Sequence, residues 1–202
     1  MTIRLFGCKI YISLLFLTMI TLMLMLDKTG LILLGFAAVF LHELGHLIAM
    51  AATGNRPRLV VLQPAGVTIK RGGKIASAND ELKIASAGCL ANLLWALIFL
   101  ALYQLFKSEL SLMFSASNLC VMGFNLIPVC GLDGYDIVLN LLMRKMLPVR
   151  AEKLSRKISL IFIFTALLGS FLLIITQQGS ITLVICTLYL LILCIMSLRT
   201  KI

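Results

Sequence analysis

Long apolar stretches separated by short polar segments make up most of the sequence. They cover residues 10–26, 31–52, 82–106, 110–128, 158–176 and 181–198. A helix that crosses a hydrocarbon layer of about 30 Å needs about 17–25 predominantly apolar residues, and each stretch is close to that length. The pattern therefore predicts an all-α polytopic membrane protein with about six transmembrane helices.

Two segments depart from this helical pattern. Residues 59–62 and 67–70 are short β-branched runs on either side of a Pro-Ala-Gly turn, and they predict a small cytoplasmic β-hairpin after the second helix. In the fourth stretch Pro128, Gly131 and Gly134 predict a broken helix. No long polar region remains for a separate soluble domain, so we expect one transmembrane domain over residues 1–202.

Composition and charge agree with a membrane protein and indicate its orientation. Hydrophobic residues make up 61% of the chain and charged residues 13%, whereas soluble domains average about 45–50% and about 25%. The net charge is +10, yet all Lys and Arg residues except Lys28 and Lys107 lie at the termini or in alternate polar segments. This positive-inside pattern predicts cytoplasmic termini. The basic excess therefore reports orientation in a lipid bilayer and does not indicate a nucleic-acid partner.

Both histidines of the chain lie in the second apolar stretch, within the sequence His42-Glu43-Leu44-Gly45-His46. Positions i and i+4 lie on one face of a helix, so His42 and His46 can bind one metal ion. Glu43, rotated about 100° around the helix, can reach a metal-bound water and act as general base. A pair of histidines hydrogen-bonded within a helical bundle is the alternative interpretation.

A catalytic zinc usually has three protein ligands and an open position. The sequence contains two histidines, so the third ligand must be a carboxylate or a thiolate. Asp133 follows the helix break, where irregular backbone is tolerated only if it lines a cavity or is buried in protein. A Pro/Gly kink with a capping aspartate is the alternative, and Asp136 and Cys130 are competing ligands. The six cysteines form no C-x-x-C pair, and we expect most of them to be apolar fillers.

Three motifs together resemble the site-2 protease family of intramembrane metalloproteases. They are His42–His46, Ala87-Gly88-Cys89-Leu90-Ala91-Asn92, and Asn125-x-x-Pro128-x-x-x-Leu132-Asp133-Gly134. The resemblance covers most of residues 31–147, the core of a single peptidase domain. Residues 62–68, Leu-Gln-Pro-Ala-Gly-Val-Thr, are most similar to the stage IV sporulation FB branch.

The resemblance implies a metalloendopeptidase that holds one Zn²⁺ per chain. Its zinc ligands would be His42, His46 and Asp133, and Glu43 would be the catalytic base. Asn92 and Asn125 would line the site. No other cofactor is implied.

The resemblance also implies the partners. The substrate would be a membrane-tethered protein with a partly unfolded transmembrane segment, cleaved in the bacterial cytoplasmic membrane. The hairpin would offer an edge strand to an extended substrate. The short chain leaves regulation to a membrane partner or to substrate supply.

Two departures from the family pattern affect the site. Cys89 stands where the family usually has proline, and Tyr135-Asp136 replaces the usual glycine and basic residue. Asp136 either lies near the basic segment that follows or competes as a ligand. Two other functions stay open: a membrane transporter that uses buried carboxylates, and a catalytically inactive relative that binds transmembrane segments.

Overall fold

The computed structural model of the protein describes residues 2–5, 8–55, 57–63, 66–71, 77–176 and 181–199. In chain order the elements are β1 (Thr2–Leu5), β2 (Cys8–Ile12), α1 (Leu14–Leu26), α2 (Leu31–Ala52), β3 (Pro57–Gln63), β4 (Gly66–Arg71), α3 (Ala78–Phe106), α4 (Glu109–Asn125), α5 (Asp133–Met143), α6 (Pro148–Ile175) and α7 (Ile181–Arg199). They form two compact units, a first unit Met1–Gly123 and a second unit Phe124–Ile202. The expected single domain over residues 1–202 stays a prediction.

Among the described residues, three helices are long and apolar enough to cross a membrane. They are α2 with 22 residues, α3 with 29 and α6 with 28. At about 1.5 Å per residue each exceeds the hydrocarbon thickness of about 30 Å. The helix α1 and residues Leu183–Ile192 of α7 are shorter apolar segments. A largely helical membrane fold is therefore confirmed, and the number of six spans stays a prediction.

The first predicted span is wrong at its beginning. Residues 10–12 belong to strand β2, and α1 begins only at Leu14 and has 13 residues. A short apolar run with β-branched residues fits a strand as well as a helix, so the pattern alone does not decide between them. Pairing with β3 decides it, because Ile10 lies opposite Val60 and Ile12 lies opposite Leu62 in parallel register.

The strands that the structure describes form one mixed sheet in the order β1-β2-β3-β4. Strands β3 and β4 pair antiparallel, which confirms the predicted hairpin; its turn residues 64–65 lie outside the described residues. The expectation of an all-α chain apart from this hairpin is corrected, since β1 and β2 extend the sheet on the other side of β3. Strand β4 is left at an edge.

Helix α2 begins at a well-defined cap. The Asp27 carboxylate accepts hydrogen bonds from the backbone amides of Thr29, Gly30 and Ile32 at 2.9, 3.0 and 2.8 Å. These amides have no partner within the helix, and an acidic side chain near them also interacts favourably with the helix dipole. Gly30, with a φ of 75°, makes the turn that precedes the helix. The start of the helix that carries both histidines is thus fixed.

The predicted break in the fourth helix is confirmed. Helix α4 ends at Asn125 and α5 begins at Asp133. Gly131 has a φ of 97°, a conformation that favours glycine. A Cβ at Gly134 would collide with the carbonyl oxygen of Leu126 and lie 2.5 Å from that of Ile127. Glycine at both positions therefore lets the chain fold back before α5.

The second unit has its own apolar core. Its buried members are Val129, Cys130, Leu132, Tyr135, Leu139, Ala151, Ile163, Leu190 and Cys194. Helix α6 begins at Pro148, ten residues before the apolar stretch that predicted it, because proline is well suited to the first turn of a helix. This core anchors the segment that leads into Asp133.

Candidate metal centre

Helix α2 places the two histidine rings side by side in the interior of the first unit. His42 and His46 are 3% and 7% exposed, and their Nε2 atoms lie 3.1 Å apart. Two nitrogen ligands on a tetrahedral zinc, each about 2.0–2.1 Å from the metal, are about 3.3 Å apart. The spacing of four residues thus brings both Nε2 atoms to the separation that a shared zinc requires.

The other ring nitrogen of each histidine faces an oxygen atom. His42 Nδ1 lies 2.9 Å from Asn92 Oδ1, and His46 Nδ1 lies 2.7 Å from the carbonyl oxygen of Ile84. Oxygen acceptors require that each Nδ1 carries a proton, and in the neutral imidazole, the form that binds metals, this leaves the lone pair on Nε2. Metal-binding histidines are usually oriented by such hydrogen bonds from the second nitrogen.

A buried amide network fixes the orientation of Asn92. Its Nδ2 donates to the carbonyl oxygen of Ala38 on α2 and to Asn118 Oδ1 on α4, at 3.2 Å each. Asn118 Nδ2 in turn donates to the carbonyl oxygen of Phe114 at 2.9 Å, so Asn118 presents its oxygen to Asn92. Asn92 must therefore present its own oxygen to His42. Asn92 is fully buried and contacts His42; its implied role in lining a catalytic site stays a prediction.

Two glycines allow α3 to approach the histidine helix closely. A Cβ at Gly45 would lie 2.7 Å from the carbonyl oxygen of Ala87, and one at Gly88 would lie 2.7 Å from His42 Nε2 and collide with His46 Nε2. Small residues let membrane helices pack backbone to backbone. No role was predicted for these glycines from the sequence. The small residues Gly45 and Ala49 on α2, and Ala87 and Ala91 on α3, were the available signal.

The donor set fits a zinc ion. Two Nε2 atoms 3.1 Å apart in a buried environment can share one cation, and imidazole nitrogen is a preferred zinc ligand. Glu43 is half-buried and directly follows His42 on α2. The first unit thus supplies two nitrogens at a separation suited to one metal ion and a neighbouring carboxylate.

The remaining predicted site residues belong to the second unit. Asn125, half-buried, is the last residue of α4, and Asp133, also half-buried, is the first residue of α5. A carboxylate at a helix N-terminus interacts favourably with the helix dipole. Of the two competing ligands, Asp136 is exposed and Cys130 is packed in the apolar core, where its backbone amide donates to Ser159 Oγ at 2.9 Å.

Comparison with known proteins identifies the family. Residues 14–132 match the sequence profile of the family described as Peptidase M50B-like. The chain belongs to this family. A zinc metalloprotease from Methanocaldococcus jannaschii is 32% identical to the M50B chain over 133 residues, which are 63% of this chain and 39% of that relative. The M50B chain thus spans well under half the length of this curated relative.

A solved structure agrees with the family assignment. The site-2 protease from Methanocaldococcus jannaschii is similar in structure to the M50B chain, with a TM-score of 0.67 and 26% sequence identity. The match covers 94% of the M50B chain and 92% of the site-2 protease chain. The predicted resemblance to site-2 proteases is confirmed at the level of the family. The family is one of peptidases, and the long apolar helices of the M50B chain fit a membrane protein.

Proposed function

We propose that the M50B chain is an intramembrane zinc metalloprotease that hydrolyses peptide bonds of membrane-embedded or membrane-associated proteins. One Zn²⁺ per chain would be held by His42, His46 and Asp133. The observation that supports this most strongly is the pair of Nε2 atoms 3.1 Å apart, with both Nδ1 atoms hydrogen-bonded to oxygen. An ion pathway does not need two imidazoles fixed in one tautomer with their lone pairs converging.

Each proposed site residue has its own role in the reaction. When bound, zinc would supply Lewis-acid activation of water and of the scissile carbonyl. Glu43 takes the proton of the attacking water on a carboxylate oxygen and delivers it to the departing amide nitrogen. Asn92 acts through His42 by holding its ring in place, and Asn125 lines the site.

The partners follow from the same proposal. The substrate is a membrane-tethered protein whose transmembrane segment unfolds partly. Cleavage takes place in a bacterial cytoplasmic membrane. It is controlled by a membrane partner or by the supply of substrate. We place the chain in the stage IV sporulation FB branch on the strength of residues 62–68.

Metal content tests the proposal directly. We expect one zinc per purified chain, measured by elemental analysis, and none in His46→Ala. Asn92→Ala should keep the site but bind zinc about 10–100-fold more weakly, since loss of a partner that orients a ligand typically costs this much. Ser115→Ala is the matched control, because Ser115 Oγ donates a buried interhelical hydrogen bond to Ala96 without touching either histidine. Full zinc content in His46→Ala would refute the proposed site.

Orientation is tested separately. Because all basic residues except Lys28 and Lys107 lie in alternate segments, we propose that both termini are cytoplasmic. A reporter fused after Ile202 should be active if it works in the cytoplasm and silent if it works only outside. The same pair of reporters inserted beside Lys107 should give the reverse result. External activity of the fusion after Ile202 contradicts this topology.

The edge strand β4 is the proposed docking element for an extended substrate. The whole hairpin is a poor target for deletion, because β3 also pairs with β2. Removing Gly66–Arg71 alone leaves that pairing in place. We expect this variant to keep its zinc but to bind substrate at least about tenfold more weakly, as measured by crosslinking or by KM. If KM is unchanged, the hairpin is only a connector.

A further inference from the structure

Cys89 lies beside the histidine pair on the helix that crosses over it. The preceding residue, Gly88, brings the α3 backbone against both Nε2 atoms. Asn92, three residues further along α3, contacts His42. Cys89 is 5% exposed, and its Sγ lies within 4.8 Å of a ring nitrogen of His42.

The environment of Cys89 differs from those of Cys120, Cys130, Cys186 and Cys194, the other cysteines whose side chains the structure describes. Cys120 and Cys186 are exposed. Cys130 and Cys194 are buried among apolar side chains of the second unit, with Cys194 Sγ 3.9 Å from Ser159 Oγ. Cys89 is buried next to a ring nitrogen of His42, the histidine whose ring is hydrogen-bonded to Asn92. Thiolate sulfur and imidazole nitrogen together are a common zinc ligand set.

We propose that Cys89 is an additional metal ligand, which binds as a thiolate when no substrate is present; this inference rests on the proposed function. A sulfur and a nitrogen on one tetrahedral zinc lie about 3.5 Å apart, given Zn–S of about 2.3 Å and Zn–N of about 2.0–2.1 Å. The distance from Sγ to the His42 nitrogen, now within 4.8 Å, would have to shorten to this value, and rotation about χ1 of Cys89 moves the sulfur. On binding, the thiol releases its proton to water.

This ligand changes how the enzyme works. Two histidines, an aspartate and a thiolate fill a tetrahedral shell, as in structural zinc sites, whereas catalysis needs an open position. Cys89 would have to leave the metal before water or a substrate carbonyl could bind there. The Cys89 thiolate would therefore close the resting site and would have to be displaced before cleavage.

Cobalt substitution tests this proposal in the purified full-length chain. We expect Co²⁺-loaded wild type to show a near-ultraviolet sulfur-to-cobalt charge-transfer band, because a thiolate on Co²⁺ produces one and nitrogen or oxygen ligands do not. Cys89→Ser should lose this band while keeping the visible ligand-field bands of bound cobalt. Cys130→Ser is the matched control: a buried thiol is removed and the band stays. X-ray absorption of the zinc-loaded wild type needs no variant and should find one sulfur at about 2.3 Å.

The outcomes separate the two proposals. Bound cobalt without the band in wild type, or a band that survives in Cys89→Ser, overturns the role of Cys89 and leaves the zinc protease proposal standing. A zinc shell without sulfur in the X-ray absorption spectrum has the same meaning. If the wild-type chain binds no metal, or binds it equally well in His46→Ala, both proposals are overturned.

Discussion

The variant Glu43→Gln is expected to keep one zinc per chain and to cleave its substrate about 10²–10⁴-fold more slowly than wild type, the usual contribution of a general base. Glutamine has nearly the same size and polarity as glutamate, but its amide cannot accept the proton of the attacking water. Glu43 directly follows His42 on α2 and is half-buried. The zinc site and the helix should therefore be preserved while proton transfer is lost.

The measurement is kcat on a membrane-tethered substrate in detergent or liposomes, together with zinc content of the same preparation. Glu109→Gln is the matched control, since Glu109 is exposed in the first turn of α4 and should cleave at the wild-type rate. Cleavage by Glu43→Gln within a few-fold of wild type would rule out the assignment of the base. Loss of zinc from it would instead make Glu43 a structural part of the site.

Local patterns were enough to predict the elements that hold the histidines. Residues 31–52 are apolar over a membrane-spanning length, and the structure has a helix with those bounds. Pro128, Gly131 and Gly134 are specific signals, because each limits the backbone conformation at its own position. For the same reason the break before Asp133 was predicted from the sequence alone.

Features that depend on contacts between distant segments could not be predicted from such local patterns. Strand β2 exists because it pairs with β3, some fifty residues away in sequence, and residues 10–12 taken alone fit a helix equally well. The acceptor for His46 is the backbone carbonyl oxygen of Ile84, a group that every residue possesses. The sequence could single out His42 and His46 as candidate zinc ligands, but not the atoms that orient their rings.

Three residues are candidates for the third ligand of the proposed zinc ion, and their surroundings differ. Asp133 opens α5 with its carboxylate at the helix N-terminus, and it follows a turn that depends on Gly131 and Gly134. Cys130 is held in the apolar core, and Asp136 is exposed. A carboxylate is also a common partner of two histidines on catalytic zinc, whereas a thiolate makes a softer site.

Asp133→Ala is therefore expected to lose both its zinc and its activity, because two histidines alone leave the metal with too few protein ligands. Asp136→Ala should keep its zinc, and Cys130→Ser should keep zinc and activity. Zinc content and cleavage are measured on all three, and circular dichroism checks that each is folded. Asp133→Asn preserves the shape of the side chain and separates loss of the ligand from loss of the fold. Full zinc occupancy in Asp133→Ala, with zinc lost from Asp136→Ala, would transfer the ligand role to Asp136.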